Sequence, residues 1–300
     1  KIKEITYAKA THRRGTSMTF VVGKGAEIEQ SELPALEQLV LMGYQYISKN
    51  DLNKERKKTT EVLLYDRLQQ AITRINPELD SDGVADALNQ IREDSYPFSL
   101  DTMETNEKIR AKLVGLSQTG GLEPITVDQI DESGVVKKTV KLFDFENIDN
   151  NDFVVTNQFE LQGFKNPIYP DIILYVNGIP LVIIECKSPF IVQWLEEAVE
   201  QKNFKKYRST GNGYERLMFY NHILIATNGD EARHGTISSD VNQFQNSRWS
   251  SAYPLTIDDV EKTYGKRRGQ EILIAGMLQK SHLLDLLKNY VIYQTIGNKR

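Results

Sequence analysis

The sequence predicts an α/β (α+β) fold, with a mixed central sheet flanked by helices and an N-terminal helical subregion. Three observations carry this. Helical apolar spacing dominates the stretch from about Ser31 to Leu116. From Thr139 the pattern changes to short strand-like runs, and Ile223-Leu-Ile-Ala-Thr227 is apolar on both faces, as a buried strand requires. After about residue 255 helical spacing returns, with Leu283, Leu284, Leu286, Leu287 and Val291 as its apolar residues. The chain thus divides into a mostly helical region at 1–138, a core at 139–255 and a C-terminal helical segment at 256–300.

The first helix is expected from Ser31 to Gly43, with Ser31 as N-cap, Pro34 in the first turn and Gly43 ending it. Glu32 or Glu37 would then face a site. Residues 60–75 and 84–92 read as helices separated by the Asn76-Pro77 break and a turn from Asp80 to Gly83. A further helix, Thr105 to Leu116, leads into the loop from Ser117 to Gly121. Strands are expected at Val140–Phe145, Phe153–Leu161, Asp171–Val176 and Leu181–Cys186, followed by a helix over 191–207 and the strand Ile223–Thr227.

With 40% hydrophobic and 26% charged residues among 300, the chain has enough apolar material for a sizeable core. No stretch approaches the roughly 18 to 20 apolar residues of a membrane span, and the start at Lys1 is no signal peptide, so the expected place is the cytoplasm, without membrane contact. The opening lysine and the close after a Tyr-rich apolar segment read as a piece of a longer protein. A single cysteine, Cys186, excludes an internal disulfide and a multi-cysteine zinc site, so any metal must take oxygen ligands. The net charge of -4 gives no global basic footprint, but lysine and arginine cluster at Lys54–Lys58, Lys202–Arg208 and Lys266–Arg268.

Pro170-Asp171 opens one strand and Glu185-Cys186-Lys187 ends the next, which is the PD-(D/E)xK arrangement. Phosphodiester hydrolysis needs a hard cation against the scissile phosphate and a water with its proton loosened. Asp171 and Glu185 would hold Mg²⁺ through oxygen, with the Cys186 backbone carbonyl as a further ligand and Mn²⁺ able to substitute. Lys187 would orient or deprotonate the attacking water and offset charge on the phosphorane. The spacing alone is a weak motif, since a surface hairpin ending in a salt bridge satisfies it. Its setting in strands of Ile, Leu, Val and Tyr favours chemistry, because unpaired charge there is costly.

Convergence of the three side chains makes a demand on the hairpin. A two-residue Asn177-Gly178 turn with a regular ladder would set Asp171 opposite Ile184 and turn Glu185 away. A three-residue loop, Asn177 to Ile179, or an equivalent bulge, sets Asp171 opposite Glu185, with Gly178 left-handed. On the next helix, many nucleases with this motif carry Gln and Tyr four residues apart. Here Gln201 and Tyr207 are six apart, whereas Asn203 and Tyr207 have the expected interval. The Glu197-Ala198 pair favours Gln201, and the phase of Leu195 and Val199 favours Asn203. His222 and His234 read as structural, and the Cys186 thiol as a small buried group opposite the site.

Beyond the motif, the runs Asn150–Gln158 and Pro170–Pro189 resemble the restriction subunit of type I restriction-modification enzymes. So do Tyr220-Asn221, Asn228-Gly229-Asp230, His234-Gly235-Thr236, Trp249, Arg74–Leu79 and Leu283–Tyr290. The resemblance covers nearly the whole chain and implies a magnesium-dependent endonuclease module acting on double-stranded DNA. It also implies specificity and methyltransferase subunits as partners, and an ATP-driven motor that begins after such a segment. The chain has no G-x-x-x-x-G-K-[ST] loop, so ATP would act only through that absent motor. Departures from the family pattern are Tyr169 where arginine often precedes Pro-Asp, Cys186 between Glu185 and Lys187, and the Gln/Tyr spacing. The alternative is a catalytically silent PD-(D/E)xK scaffold that docks the motor onto the methyltransferase.

Overall fold

A computed structural model describes residues 6–11, 17–92, 101–115, 123–132, 134–201, 203–209 and 211–293. An antiparallel hairpin, β1 (Thr6–Thr11) and β2 (Ser17–Val22), precedes the first long helix. This helix begins earlier than expected, because a π-turn over Ile28–Glu32 runs straight into α1 (Leu33–Leu41). Ser31 is therefore not an N-cap; it is buried inside the helix and donates to Gln270 Oε1 at 3.2 Å. Pro34 supplies the physical reason for the π-turn. Proline cannot bond the carbonyl one turn back, and the turn frees that carbonyl, on Gln30, which faces Arg268 Nη2 at 3.5 Å instead. Gly43, with φ +90°, ends the helix as expected.

Next come β3 (Gln45–Tyr46), α2 (Lys49–Leu52), α3 (Tyr65–Ile75) and α4 (Ser81–Ile91). The helix expected from residue 60 starts at Tyr65. The turn expected at Asp80–Gly83 is absorbed into α4, since the Asp80 carboxylate accepts Gly83 N at 2.8 Å and caps it. Helix α5 (Thr102–Val114) is capped by Asp101 and closed by Gly115 at φ +67°. The loop Ser117–Gly121 lies outside the described residues. A hairpin of β4 (Thr126–Asp131) and β5 (Gly134–Thr139) follows.

No strand forms at Val140–Phe145. Its apolar residues Val140, Leu142 and Phe143 are buried, but side-chain amides stand in for a partner strand. Asn76 Nδ2 donates to Lys141 O at 2.8 Å and Asn177 Nδ2 to Leu142 O at 2.8 Å. The apolar pattern there reports burial rather than pairing.

The core contains β6 (Phe153–Asn157), the short hairpin β7 (Leu161–Gln162) and β8 (Pro167–Ile168), β9 (Ile172–Val176) and β10 (Ile179–Cys186). The single helix expected over 191–207 is described as α6 (Trp194–Glu196), a π-turn at Glu197–Gln201 that continues it, and α7 (Asn203–Arg208). The apolar spacing explains the π-turn. Buried Val199 and Phe204 are five residues apart, a π interval, so the extra residue keeps Phe204 and Tyr207 on the buried face. The position in phase with Leu195 and Val199 is therefore Phe204, not Asn203.

The chain continues through α8 (Glu215–Tyr220), β11 (Ile223–Thr227), β12 (Ala232–Gly235), α9 (Val241–Asn246), α10 (Ile257–Tyr264), α11 (Gly269–Met277) and α12 (Lys280–Asp285). Six strands form one mixed sheet in the order β12-β11-β10-β9-β6-β3, with β10/β11 and β3/β6 parallel and the other pairs antiparallel. Every residue of β6, β9, β10 and β11 is buried, which is the signature of a sheet covered on both faces. Among the described residues no helix is long and apolar enough to cross a membrane.

Candidate active site

The register of β9 and β10 decides which side chains meet. The connection is a two-residue turn, with Asn177 at φ +51° and Gly178 at φ +80°, and Val176 pairs with Ile179. The expected three-residue loop is thus not found. Its bulge equivalent is: pairing runs Tyr175 to Pro180, then Leu174 to Val182, leaving Leu181 unpaired. Ile172 then faces Ile184, and the next residues, Asp171 and Glu185, arrive side by side. Gly178 is required twice over, since its φ is left-handed and an added Cβ would sit 2.5 Å from Leu64 O. Asn177 tolerates the same region because its side chain is fully engaged, accepting from Asp152 N at 2.7 Å and donating to Asn151 Oδ1 at 2.9 Å.

Five elements converge at this end of the sheet. Asp171 Oδ2 accepts from Cys186 N at 2.7 Å, tying the start of β9 to the end of β10. Lys187 Nζ donates to Glu185 Oε1 at 2.6 Å and to the Cys186 carbonyl at 2.9 Å. From α7, Tyr207 OH reaches Glu185 Oε2 at 3.4 Å. From the π-turn, Glu32 accepts Asn157 Nδ2 at 2.8 Å through Oε1 and Gln158 Nε2 at 3.1 Å through Oε2. Gln158 Nε2 also donates to Asp171 Oδ1 at 2.8 Å, so this amide bridges the two carboxylates.

Sequence reasoning gave Gln158 no role. The available signal is its place at the end of β6, where Asn157 pairs with Ile172 beside Asp171. Its φ of +49° is uncommon for a non-glycine residue, and such backbone strain gathers at functional sites.

Charge is unbalanced here. Asp171, Glu185 and Glu32 share the site with one ammonium, on Lys187. Burial and the neighbouring Asp171 push the Glu185 carboxyl well above the usual range, against the pull of Lys187. Burial and then Asp171 push Glu32 up to about 8. Burial alone would favour neutral Lys187, but Glu185 and Asp171 outweigh it and hold the ammonium protonated. Burial and Glu185 raise the Tyr207 phenol far above its ordinary value, so it remains a donor. The protonated Lys187 suits orienting a water or a phosphate oxygen better than removing a proton.

This donor set fits a hard divalent cation. Hard oxygen atoms from Asp171 and Glu185, with the Cys186 carbonyl beside them, surround the point where negative charge is in excess, and a cation there would favour the ionised form of Glu185. Among the described residues no group of three or more His, Cys, Asp or Glu side chains is spaced as a preformed metal cage. Such an incomplete protein shell is what Mg²⁺ tolerates, since it keeps several waters.

The remaining expected residues separate cleanly. Glu37 lies outside the constellation; burial raises its carboxyl and its charged neighbour is Lys266. The side chains of Gln201 and Asn203 lie outside those described. Burial, then Arg110, lowers His222 to about 3, and burial lowers His234, so both rings are neutral. The Cys186 thiol is buried and its acidity suppressed by burial and by Asp171, which leaves it inert.

Residues 26–243 match the family described as type I restriction enzyme R protein N terminus. The chain is 28% identical over 280 residues to a Methanocaldococcus jannaschii protein provisionally named type I restriction enzyme MjaIXP endonuclease subunit, covering 87% of this chain and 25% of that protein. It is 27% identical over 277 residues to the type I restriction enzyme HindI endonuclease subunit of Haemophilus influenzae, covering 89% and 24%. Similarity to the Escherichia coli type I restriction enzyme EcoprrI endonuclease subunit is 28% over 161 residues, covering 53% and 47%. The chain thus spans about a quarter of the length of the first two relatives. With the family match extending over most of its length, the chain belongs to the type I restriction enzyme R protein N-terminal family.

Proposed function

We propose that this chain is the endonuclease module of a cytoplasmic type I restriction enzyme, cutting double-stranded DNA with Mg²⁺ held by Asp171, Glu185 and the Cys186 carbonyl. The observation that carries this reading is the meeting of three buried carboxyls and one buried lysine at one end of the sheet, in a family whose relatives are named endonuclease subunits. Mn²⁺ would substitute, being another hard cation of similar demands. The cation would supply a Lewis acid for the phosphate oxygen and a water of lowered pKa.

The chain's own residues supply the rest. Lys187, held charged by Glu185, donates to the attacking water or to a phosphate oxygen and offsets developing negative charge. Gln158 fixes the Asp171 carboxylate by holding Oδ1 while Cys186 N holds Oδ2. Tyr207 orients Glu185, and Glu32 adds a third acidic group to the rim. Sequence choice and DNA translocation fall to the specificity and methyltransferase subunits and to an ATP-driven motor outside this chain.

Mn²⁺ binding to this chain, read by electron paramagnetic resonance, tests the proposal. Saturable binding that is lost in Asp171→Asn and Glu185→Gln is expected. Equal binding by wild type and both variants, or none by any, would leave a scaffold that docks other subunits as the better reading.

A further inference from the structure

Two basic runs far apart in sequence are brought to the same short hairpin by the fold. On one side, Thr59 O accepts Gln162 N at 2.9 Å, and the neighbouring Lys57 and Lys58 side chains are exposed. Arg56 reinforces this junction, donating to Thr59 O at 3.2 Å and to Glu160 O, with its guanidinium 4.0 Å over the Phe159 ring. On the other side, Tyr214 OH donates to Asn166 O, and Lys206 Nζ lies 5.4 Å from the Tyr214 ring. Lys206 is exposed and lies on the same helix, α7, that sends Tyr207 inward to Glu185.

The β7/β8 hairpin between them is rigidly seated. Phe164 N donates to Asn212 O at 2.8 Å, and a Cβ on Gly163 would lie 2.3 Å from the Tyr214 ring and 2.4 Å from Asn212 O, so the tip packs backbone against backbone. Seated this way, it presents Phe164 at 61% exposure with Lys165 beside it, and Tyr169 at 46% where the chain turns back toward Asp171. Two acids at this surface are tied down by local hydrogen bonds. Glu61 accepts the amides of Lys57 and Lys58, and Glu160 accepts Tyr169 OH.

We infer that Lys57, Lys58, Lys165 and Lys206, with Phe164 at the hairpin tip, form the track that holds the duplex beside the carboxylates. This deepens the endonuclease reading and rests on it for the identity of the occupant. Charge complementarity singles out a polyanion, because a chain of net charge -4 brings lysines from three separate segments to one hairpin, which leads directly into Asp171. Lysines would position the backbone, and the exposed ring at the tip has the shape and polarity to enter a groove between them.

The test is fluorescence anisotropy of a 30-base-pair duplex with this chain in EDTA, over a range of salt concentrations, so that binding is read without metal chemistry. Lys57→Gln/Lys58→Gln/Lys165→Gln/Lys206→Gln should weaken binding about a hundredfold or more near 0.1 M salt and reduce the slope of log Kd against log salt by roughly 3 to 4. Phe164→Ala should weaken binding with the slope unchanged. Lys137→Gln/Lys262→Gln/Lys266→Gln/Arg267→Gln, at exposed positions outside these segments, likewise removes four charges and should leave the slope nearly as in wild type. No measurable duplex binding by wild type, or an equal loss in the control, would overturn the track. Intact, track-dependent binding combined with cleavage insensitive to Asp171→Asn would instead sink the endonuclease reading while leaving the track standing.

Discussion

Asp171 Oδ2 accepts from the Cys186 amide at 2.7 Å, and this bond joins the two strands one step beyond their last ladder pair, Ile172 with Ile184. It separates two roles of one carboxylate. Asp171→Ala leaves a buried donor unpaired, at a cost of about 1–3 kcal/mol, whereas Asp171→Asn keeps an acceptor in place. Asp171→Asn keeps the acceptor for Cys186 N but turns an amide N–H toward Gln158 Nε2, so it should retain more thermal stability than Asp171→Ala while both lose metal affinity. Paired unfolding and metal-titration curves check this; equal stability of the two variants would contradict the bond's structural share.

The raised Glu32 carboxyl gives a pH dependence of definite sign. An unfolded glutamate releases its proton near 4.5, but folded Glu32 keeps it to about 8, so the folded chain binds more protons across that window. The stability contributed is fully present below about pH 4.5 and is lost as pH rises through about 8; Glu185, also raised, adds in the same direction. In metal-free buffer the melting temperature should fall from pH 5 to pH 9, and Glu32→Gln should flatten the decline. Added Mg²⁺ should do likewise in wild type. A melting temperature that rises across this range would count against the arrangement.

Gly178→Ala tests the hairpin that creates the site. A left-handed φ and a Cβ 2.5 Å from Leu64 O should together cost about 1–3 kcal/mol or more, read by denaturant unfolding. Unchanged stability would mean that the turn has another geometry.

In the proposed site Tyr207 would act through Glu185 rather than on substrate, its bond to that carboxyl being long at 3.4 Å. Tyr207→Phe should lower cleavage roughly 10-fold, toward the low end for a residue that orients a metal ligand, with folding unaffected. A loss as large as that of Lys187→Ala would require Tyr207 to touch the reacting atoms.

Much of this was legible in the sequence, and the exceptions share a physical cause. The strands at Ile172–Val176, Ile179–Cys186 and Ile223–Thr227 declare themselves through unbroken β-branched and aliphatic runs, and the need for Asp171 to face Glu185 correctly implies a register shift. Whether a longer loop or a bulge supplies the shift is settled by packing, since Gly178 is pressed against Leu64 and leaves no room for a longer loop. The π-turns were invisible to a reading based on ordinary helical spacing. One moves Ser31 from a cap into the core and turns Glu32 toward Gln158; the other sets Phe204 in phase with Val199. Val140–Phe145 misled for a third reason: burial with side-chain amides as backbone partners looks, in sequence, like a strand.

The most direct test of the central claim is DNA cleavage by the full-length subunit assembled with its partner subunits, ATP and Mg²⁺, comparing wild type with Asp171→Asn and Lys187→Ala. Loss of cutting with ATP hydrolysis retained is the predicted result. Cutting at the wild-type rate in either variant would place the chemistry elsewhere.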